Sequence, residues 1–136
     1  MENVELDIES LRFAKTSLQK AFDVYQNGNE DQDLCDIYAD SCVKRFEYTF
    51  ETAWKVMKKY FKLQYSKKEE ELTMNNIFRF MEGYGFTSSW LKWKEFYTQR
   101  NNTAHEYNVQ KSRNLIAIIP DFLEEITFLL NKWDSL

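Results

Sequence analysis

Proline and glycine are scarce in this chain, with one proline and three glycines among 136 residues. An all-β sandwich or barrel needs turn residues every 8–12 positions or so, and this composition cannot supply them. Cysteine is scarce too. Cys35 and Cys42 lie seven residues apart, two turns along one helix face and too far for a bridge within that helix. The expected state is two buried, reduced thiols, as in a cytoplasmic protein. With a single histidine, His105, and two cysteines there is no zinc set to assemble. No apolar run approaches the roughly 20 residues of a membrane span, and Met1–Asp7 lacks the basic and apolar regions of a secretory leader. A cytoplasmic location, with no membrane contact, is expected. Positive charge is also in deficit: 18 Lys and Arg face 22 Asp and Glu, for a net charge of −4. That excludes a broad basic field for duplex DNA, so any nucleic-acid contact has to come from a local patch.

What is present is a helical pattern rich in aromatics. Leu11, Ala14, Leu18, Ala21, Phe22 and Tyr25 recur at threes and fours, which predicts a first helix over residues 7–26, stopped by Asn27-Gly28-Asn29. The acidic stretch Asn27–Asp33 superficially resembles a calcium loop. Gln32 stands at its sixth position where glycine is required and Tyr38 at its twelfth where glutamate is, so it is read as a solvated loop. Cys35, Ala39, Cys42, Phe46, Phe50, Ala53, Met57 and Tyr60 mark a long second helix from about Asp33 to Tyr65, roughly 50 Å in length. Lys55, Lys58, Lys59 and Lys62 line its later outer face, either as a solvated stripe or as a ridge for a phosphate backbone. A short third helix is expected from about Leu72 to Glu82, with Thr73 as a cap and Gly83-Tyr84-Gly85 as its end. Ser88 or Ser89 caps a fourth, which packs Trp90, Trp93, Phe96 and Tyr97 on one face. A fifth starts near Asn108 and carries Leu115, Ile119, Phe122, Ile126, Leu129 and Trp133, with a kink at Pro120 that costs the Ile116 carbonyl its partner. The reading is one all-α domain over residues 1–136, an up-and-down antiparallel bundle of four main helices plus one short helix. Its surplus of aromatics hints at a dimer face.

Between the fourth and fifth helices the pattern turns almost wholly polar: Arg100-Asn101-Asn102-Thr103-Ala104-His105-Glu106-Tyr107. If Asn101–His105 is helical, those two residues share a face with Arg100 beside them. A permanent cation, a group that titrates near neutrality and an amide then converge on one patch. That set suits a phosphodiester, with imidazole moving a proton and guanidinium meeting charge on phosphate oxygens. A polar helix end with no chemistry would look similar, since histidine favours a helix C-terminus and Asn and Thr turn well. Up-and-down connections bring this stretch against the second helix.

Lys44-Arg45-Phe46-Glu47-Tyr48-Thr49-Phe50-Glu51-Thr52-Ala53-Trp54-Lys55 resembles the second-helix signature of the nucleotidyltransferase substrate-binding family, a branch of the HEPN superfamily. Arg100 to His105 is similar to that superfamily's arginine–histidine motif, and Tyr107 completes its extended His-x-Tyr form. The resemblance spans nearly the whole chain. It implies a small helical bundle, commonly a homodimer, that acts in many members as a metal-independent endoribonuclease and toxin. It also implies a cognate minimal nucleotidyltransferase (MNT) as antitoxin in a type VII-like HEPN/MNT pair, with AMP transferred to the tyrosine of the motif. Carried over residue by residue, Arg100, Asn101 and His105 would be catalytic and Tyr107 the acceptor, with no cofactor. AMP on Tyr107, expected in an exposed loop, would set a phosphate beside Arg100 and His105 and block RNA entry. The alternative is a non-catalytic substrate-binding subunit of a two-component nucleotidyltransferase, in which the same stretch is a docking surface.

Overall fold

The computed structural model describes residues 2–28 and 30–136, with side chains from residue 7 onward. Met1 and Asn29, the latter part of the expected helix stop, lie outside the described residues. The described chain is all-helical: α1 (Glu2–Asn27), α2 (Gln32–Gln64), α3 (Met74–Gly83), α4 (Trp90–His105), α5 (Val109–Ala117) and α6 (Ile119–Asp134), with a single 3-10 turn at Glu69–Glu71.

Local chemistry sets most of the boundaries. Asp31 caps α2 by accepting from the Asp33 N–H at 2.9 Å, which is the fate of the calcium-like stretch. Thr73 caps α3 through the Asn76 N–H at 3.3 Å. At the start of α4 the two serines divide the work: Ser89 accepts from Lys92 N–H, while Ser88 turns inward. Gly85, at φ 81°, lets the chain reverse after α3 and bring the Phe86 N–H to the Met81 carbonyl at 2.7 Å.

One expectation fails in an informative way. The fifth helix is not kinked at Pro120 but divided. Its first part ends as the Ile118 N–H closes on the Leu115 carbonyl at 3.1 Å, and Pro120 falls in the first turn of α6. Proline has no N–H to donate and its φ is already helical, so it opens a helix more readily than it bends one. The stripe survives the break, because Leu115, Ile119, Phe122, Ile126, Leu129 and Trp133 are all buried.

The core forms around α2, which touches α1, α3, α4 and α5. Phe46, Phe50, Ala53, Met57 and Tyr60 are buried along it, whereas Cys35 and Ala39 are only partly covered. The heptad-like stripe is therefore less covered toward the start of α2, and Cys35 is not the buried thiol expected, although Cys42 is. Phe50 packs its ring near Trp93 at 6.1 Å and Phe78 at 6.3 Å, and Phe122 meets Phe46 at 4.5 Å and Phe96 at 5.1 Å. Each such ring contributes on the order of 2–3 kcal/mol by leaving water. These contacts fix α4 against α2, and so fix what lies at the end of α4. None of the described helices is long and apolar enough to cross a membrane.

Candidate active site

The polar stretch is helical up to His105, as the shared-face argument required. Antiparallel packing then spreads its side chains along α2 in descending order. Arg100 forms an ion pair with Glu51 through Nη2, Thr103 donates its hydroxyl to Glu47 Oε1 at 3.3 Å, and Tyr107 donates its hydroxyl to Asp40 Oδ1. Rising residue numbers on α4 meet falling numbers on α2, so the motif and the second-helix signature read each other face to face.

Arg100 is partly buried and doubly held. Besides Glu51 it donates from Nη1 to Asn101 Oδ1 at 3.3 Å, and Glu51 is itself fixed by the Trp54 indole N–H at 3.2 Å. The guanidinium keeps its charge in any such setting, so the pairing orients it and reduces the field it offers to a phosphate. His105 is exposed in the last turn of α4. Five residues span about 140° around a helix, so Arg100 and His105 flank the helix end rather than share one face. Arg100 is turned onto α2, and Asn101, nearer in angle to His105, is bonded to Arg100 instead.

Tyr107 occupies the short link between α4 and α5. The link is fixed at both ends: Glu106 N–H closes on the Asn102 carbonyl at 3.3 Å, and Asn108 caps α5 through the Lys111 N–H at 2.9 Å. The phenol is 50% exposed. Burial of its covered half, and then the hydrogen bond to Asp40, push its pKa above the usual tyrosine value, against an opposing bond from Ser112. Beside it lies a cleft of about 430 Å³ lined by Asp40, Val43, Lys44, Glu47, Thr103 and Ala104.

Exposure of Tyr107 agrees with expectation; its surroundings do not. Asp40 and Glu51, the anchors of Tyr107 and Arg100, are eleven residues apart on α2, roughly 16 Å along the axis. A group carried by Tyr107 therefore meets Lys44 first, not Arg100. Three carboxylates not expected as partners receive the motif. Asp40, Glu47 and Glu51 are spaced by seven and four, which places them on one face of α2. That spacing was the available signal. The lysine ridge is largely engaged: Lys58 and Lys62 pair with Glu69, and Lys59 with Asp7. Among the described residues, no three His, Cys, Asp or Glu side chains gather as metal ligands would.

Comparison with known proteins adds three findings. Residues 6–135 match the family described as nucleotidyltransferase substrate binding protein like. A curated relative from Haemophilus influenzae, named "Probable ribonuclease HepT", is 28% identical over 92 residues, which is 66% of this chain and 63% of the relative. The match thus spans less than two thirds of that relative's length. A solved structure from the same organism, described as the fold of a substrate binding domain of a nucleotidyltransferase, superposes with a TM-score of 0.79 over 92% of this chain and 97% of its own. At 24% identity that likeness is one of fold alone. With the helix-two residues and the arginine–histidine helix end facing each other across the bundle, and the family match running almost end to end, the chain belongs to the nucleotidyltransferase substrate binding protein like family, of HEPN type.

Proposed function

We propose that this chain is the toxin of a type VII-like HEPN/MNT toxin–antitoxin pair: a metal-independent endoribonuclease, active as a homodimer, that a cognate minimal nucleotidyltransferase binds and silences by transferring AMP to Tyr107. The observation that carries this reading is the end of α4, where a constrained guanidinium, an amide bonded to it and an exposed imidazole occupy the last two turns.

In the proposed reaction neutral His105 takes the proton of a ribose 2′-hydroxyl, and the oxygen attacks the adjacent phosphorus. Arg100 stabilises charge on the phosphate oxygens, and Asn101 holds Arg100 in place. The departing 5′-oxygen needs a proton, and one histidine per chain cannot conveniently serve as base and acid in one step. His105 of a second copy supplies it. The products are a 2′,3′-cyclic phosphate and a 5′-hydroxyl end. The dimer reading has support on the surface: Phe13 is 77% exposed and Tyr48 58%, and both line a shallow apolar depression that reaches the motif cleft through Lys44.

The test is cleavage of RNA in EDTA. His105→Ala and Arg100→Ala should each lose at least roughly 100-fold in rate while melting close to the parent. Equal cleavage by both variants would remove the catalytic assignment. Light scattering that shows only monomers would remove the shared-cleft mechanism.

A second reading is favoured by one specific observation, the engagement of Arg100 by Glu51. In a non-catalytic substrate-binding subunit of a two-component nucleotidyltransferase, that ion pair would simply be a structural tie and the helix end a docking surface. Expressing the chain alone and together with its neighbouring gene product separates the two. Growth arrest only when alone supports the toxin; a stable complex without toxicity supports the subunit.

A further inference from the structure

A tyrosine that accepts a nucleotidyl group from another protein needs only to be reachable. Tyr107 is more than reachable. Its hydroxyl is aimed at a carboxylate of its own chain, and a lysine one helical turn along α2 from that carboxylate lines the same cleft. A nucleophile and a base within hydrogen-bond reach, with a cation nearby, is the arrangement by which weak nucleophiles are activated. Resting on the reading of Tyr107 as a nucleotidyl acceptor, we infer that Asp40 is the general base for Tyr107, and that Lys44 receives the phosphate of the incoming nucleotide.

As Tyr107 Oη approaches the α-phosphorus of a nucleoside triphosphate, the Oη–P bond forms and the α–β anhydride bond breaks. Pyrophosphate leaves with the electron pair, and the phenolic proton passes to the Asp40 carboxylate. The new phosphodiester keeps one negative charge, which lies beside Lys44. A preformed phenolate is disfavoured, because burial and the neighbouring carboxylates Asp40 and Glu47 all oppose ionisation of the phenol. Proton transfer during the attack avoids that barrier, since the two negative charges never stand side by side. The base thus belongs to the acceptor chain, and the transferase is left to position the triphosphate and stabilise the leaving group.

Asp40 is exposed at the edge of the core, and its bond to Tyr107 ties α2 to the α4–α5 connection.

A donor that needs no partner protein makes the test independent of the proposed pairing. The intact chain is incubated at neutral pH with adenosine 5′-phosphorimidazolide, an activated AMP whose leaving group is imidazole. Brief mild acid treatment removes phosphoramidates from lysines, and tyrosine adducts are then mapped by mass spectrometry. Tyr48, at least as open to solvent, is the internal standard. The expected result is an AMP adduct on Tyr107 formed roughly 10- to 100-fold faster than on Tyr48, falling to the Tyr48 level in Asp40→Asn. Asparagine can still accept the phenol's hydrogen bond but cannot take its proton, so a role in geometry alone would leave the rate high. Lys44→Gln should reduce the rate of adduct formation while leaving the preference for Tyr107 over Tyr48. Equal labelling of Tyr107 and Tyr48 in the parent chain, or an unchanged Tyr107 rate in Asp40→Asn, overturns the assignment of Asp40. Failure of a nucleotidyltransferase to modify a Tyr107 that the chemical donor labels rapidly would instead count against the pairing, so the two failures are separable.

Discussion

Two carboxylates meet α4 at its opposite ends, and each accepts an indole N–H at 3.2 Å, Glu125 from Trp93 and Glu51 from Trp54. There the likeness stops. Glu125 is 3% exposed, and its other bonds come from neutral donors, the Ser88 N–H at 3.0 Å and the Ser88 hydroxyl at 2.6 Å. The Glu51 side chain is 28% exposed and holds the guanidinium of Arg100. A carboxylate buried among neutral donors at a helix start is well satisfied and shut off from solvent, and its work is to seat the first turn of α4. A carboxylate that holds a cation at the edge of solvent keeps that cation oriented and within reach of a competing anion. Local bonding alone does not separate architecture from chemistry here. Exposure and the charge of the partner do.

The comparison can be broken from its buried side first. Glu125→Ala leaves the Ser88 and Trp93 donors without an acceptor, and should cost about 3 kcal/mol, which is roughly 10 °C in melting temperature for a domain of this size. Thermal denaturation followed by circular dichroism checks it. A loss under about 1 kcal/mol would mean that water reaches the site freely. From the exposed side the expected outcome is reversed. Glu51→Ala should change stability by only about 1 kcal/mol, yet let Arg100 drift and alter the proposed RNA cleavage by roughly tenfold. Reduced cleavage would mean that Glu51 positions Arg100; increased cleavage would mean that it withholds Arg100 from substrate. A melting loss as large as that of Glu125→Ala, with unchanged cleavage, would make Glu51 architectural after all.

The smallest effect sharpens the contrast between buried and exposed groups by pH. Burial pushes the Cys42 thiol up from 9.0 to about 11. Below pH 9 folded and unfolded chains both carry the neutral thiol, and its contribution is intact. Between pH 9 and 11 only the unfolded chain ionises, so stability falls as pH rises. Tyr60 and Tyr107, whose values are also raised, extend that loss above pH 10. Urea denaturation at pH 8 and at pH 10.5 should show a smaller alkaline loss in Cys42→Ala than in the parent. Equal losses would place the effect on the tyrosines alone.

Much of the helix pattern could be read in advance, because a 3.6-residue period and capping chemistry are local. Thr73 caps where its side chain suggested, Ser89 is the one of the two serines that caps α4, and the helix expected to start near Asn108 does so. Pro120 shows where local reading falls short: a missing N–H says that a helix is interrupted, but not whether it bends or restarts. Of the site, Arg100, Asn101, His105 and Tyr107 could be picked out as a polar stretch between apolar patterns. Their partners could not, since Asp40, Glu47 and Glu51 lie 67, 56 and 49 positions away from the side chains they hold, Tyr107, Thr103 and Arg100.

By itself, then, the sequence determined an all-helical chain, the apolar stripes that would be buried, and a polar helix end with one imidazole. Periodicity and capping are properties of neighbours along the chain. Only the tertiary structure decided the register in which α4 lies against α2, the one that sets Arg100 on Glu51 and Tyr107 on Asp40. That register is fixed by the packing of Phe50, Trp93 and Phe122 in the core, and packing is a property of the whole chain folded at once.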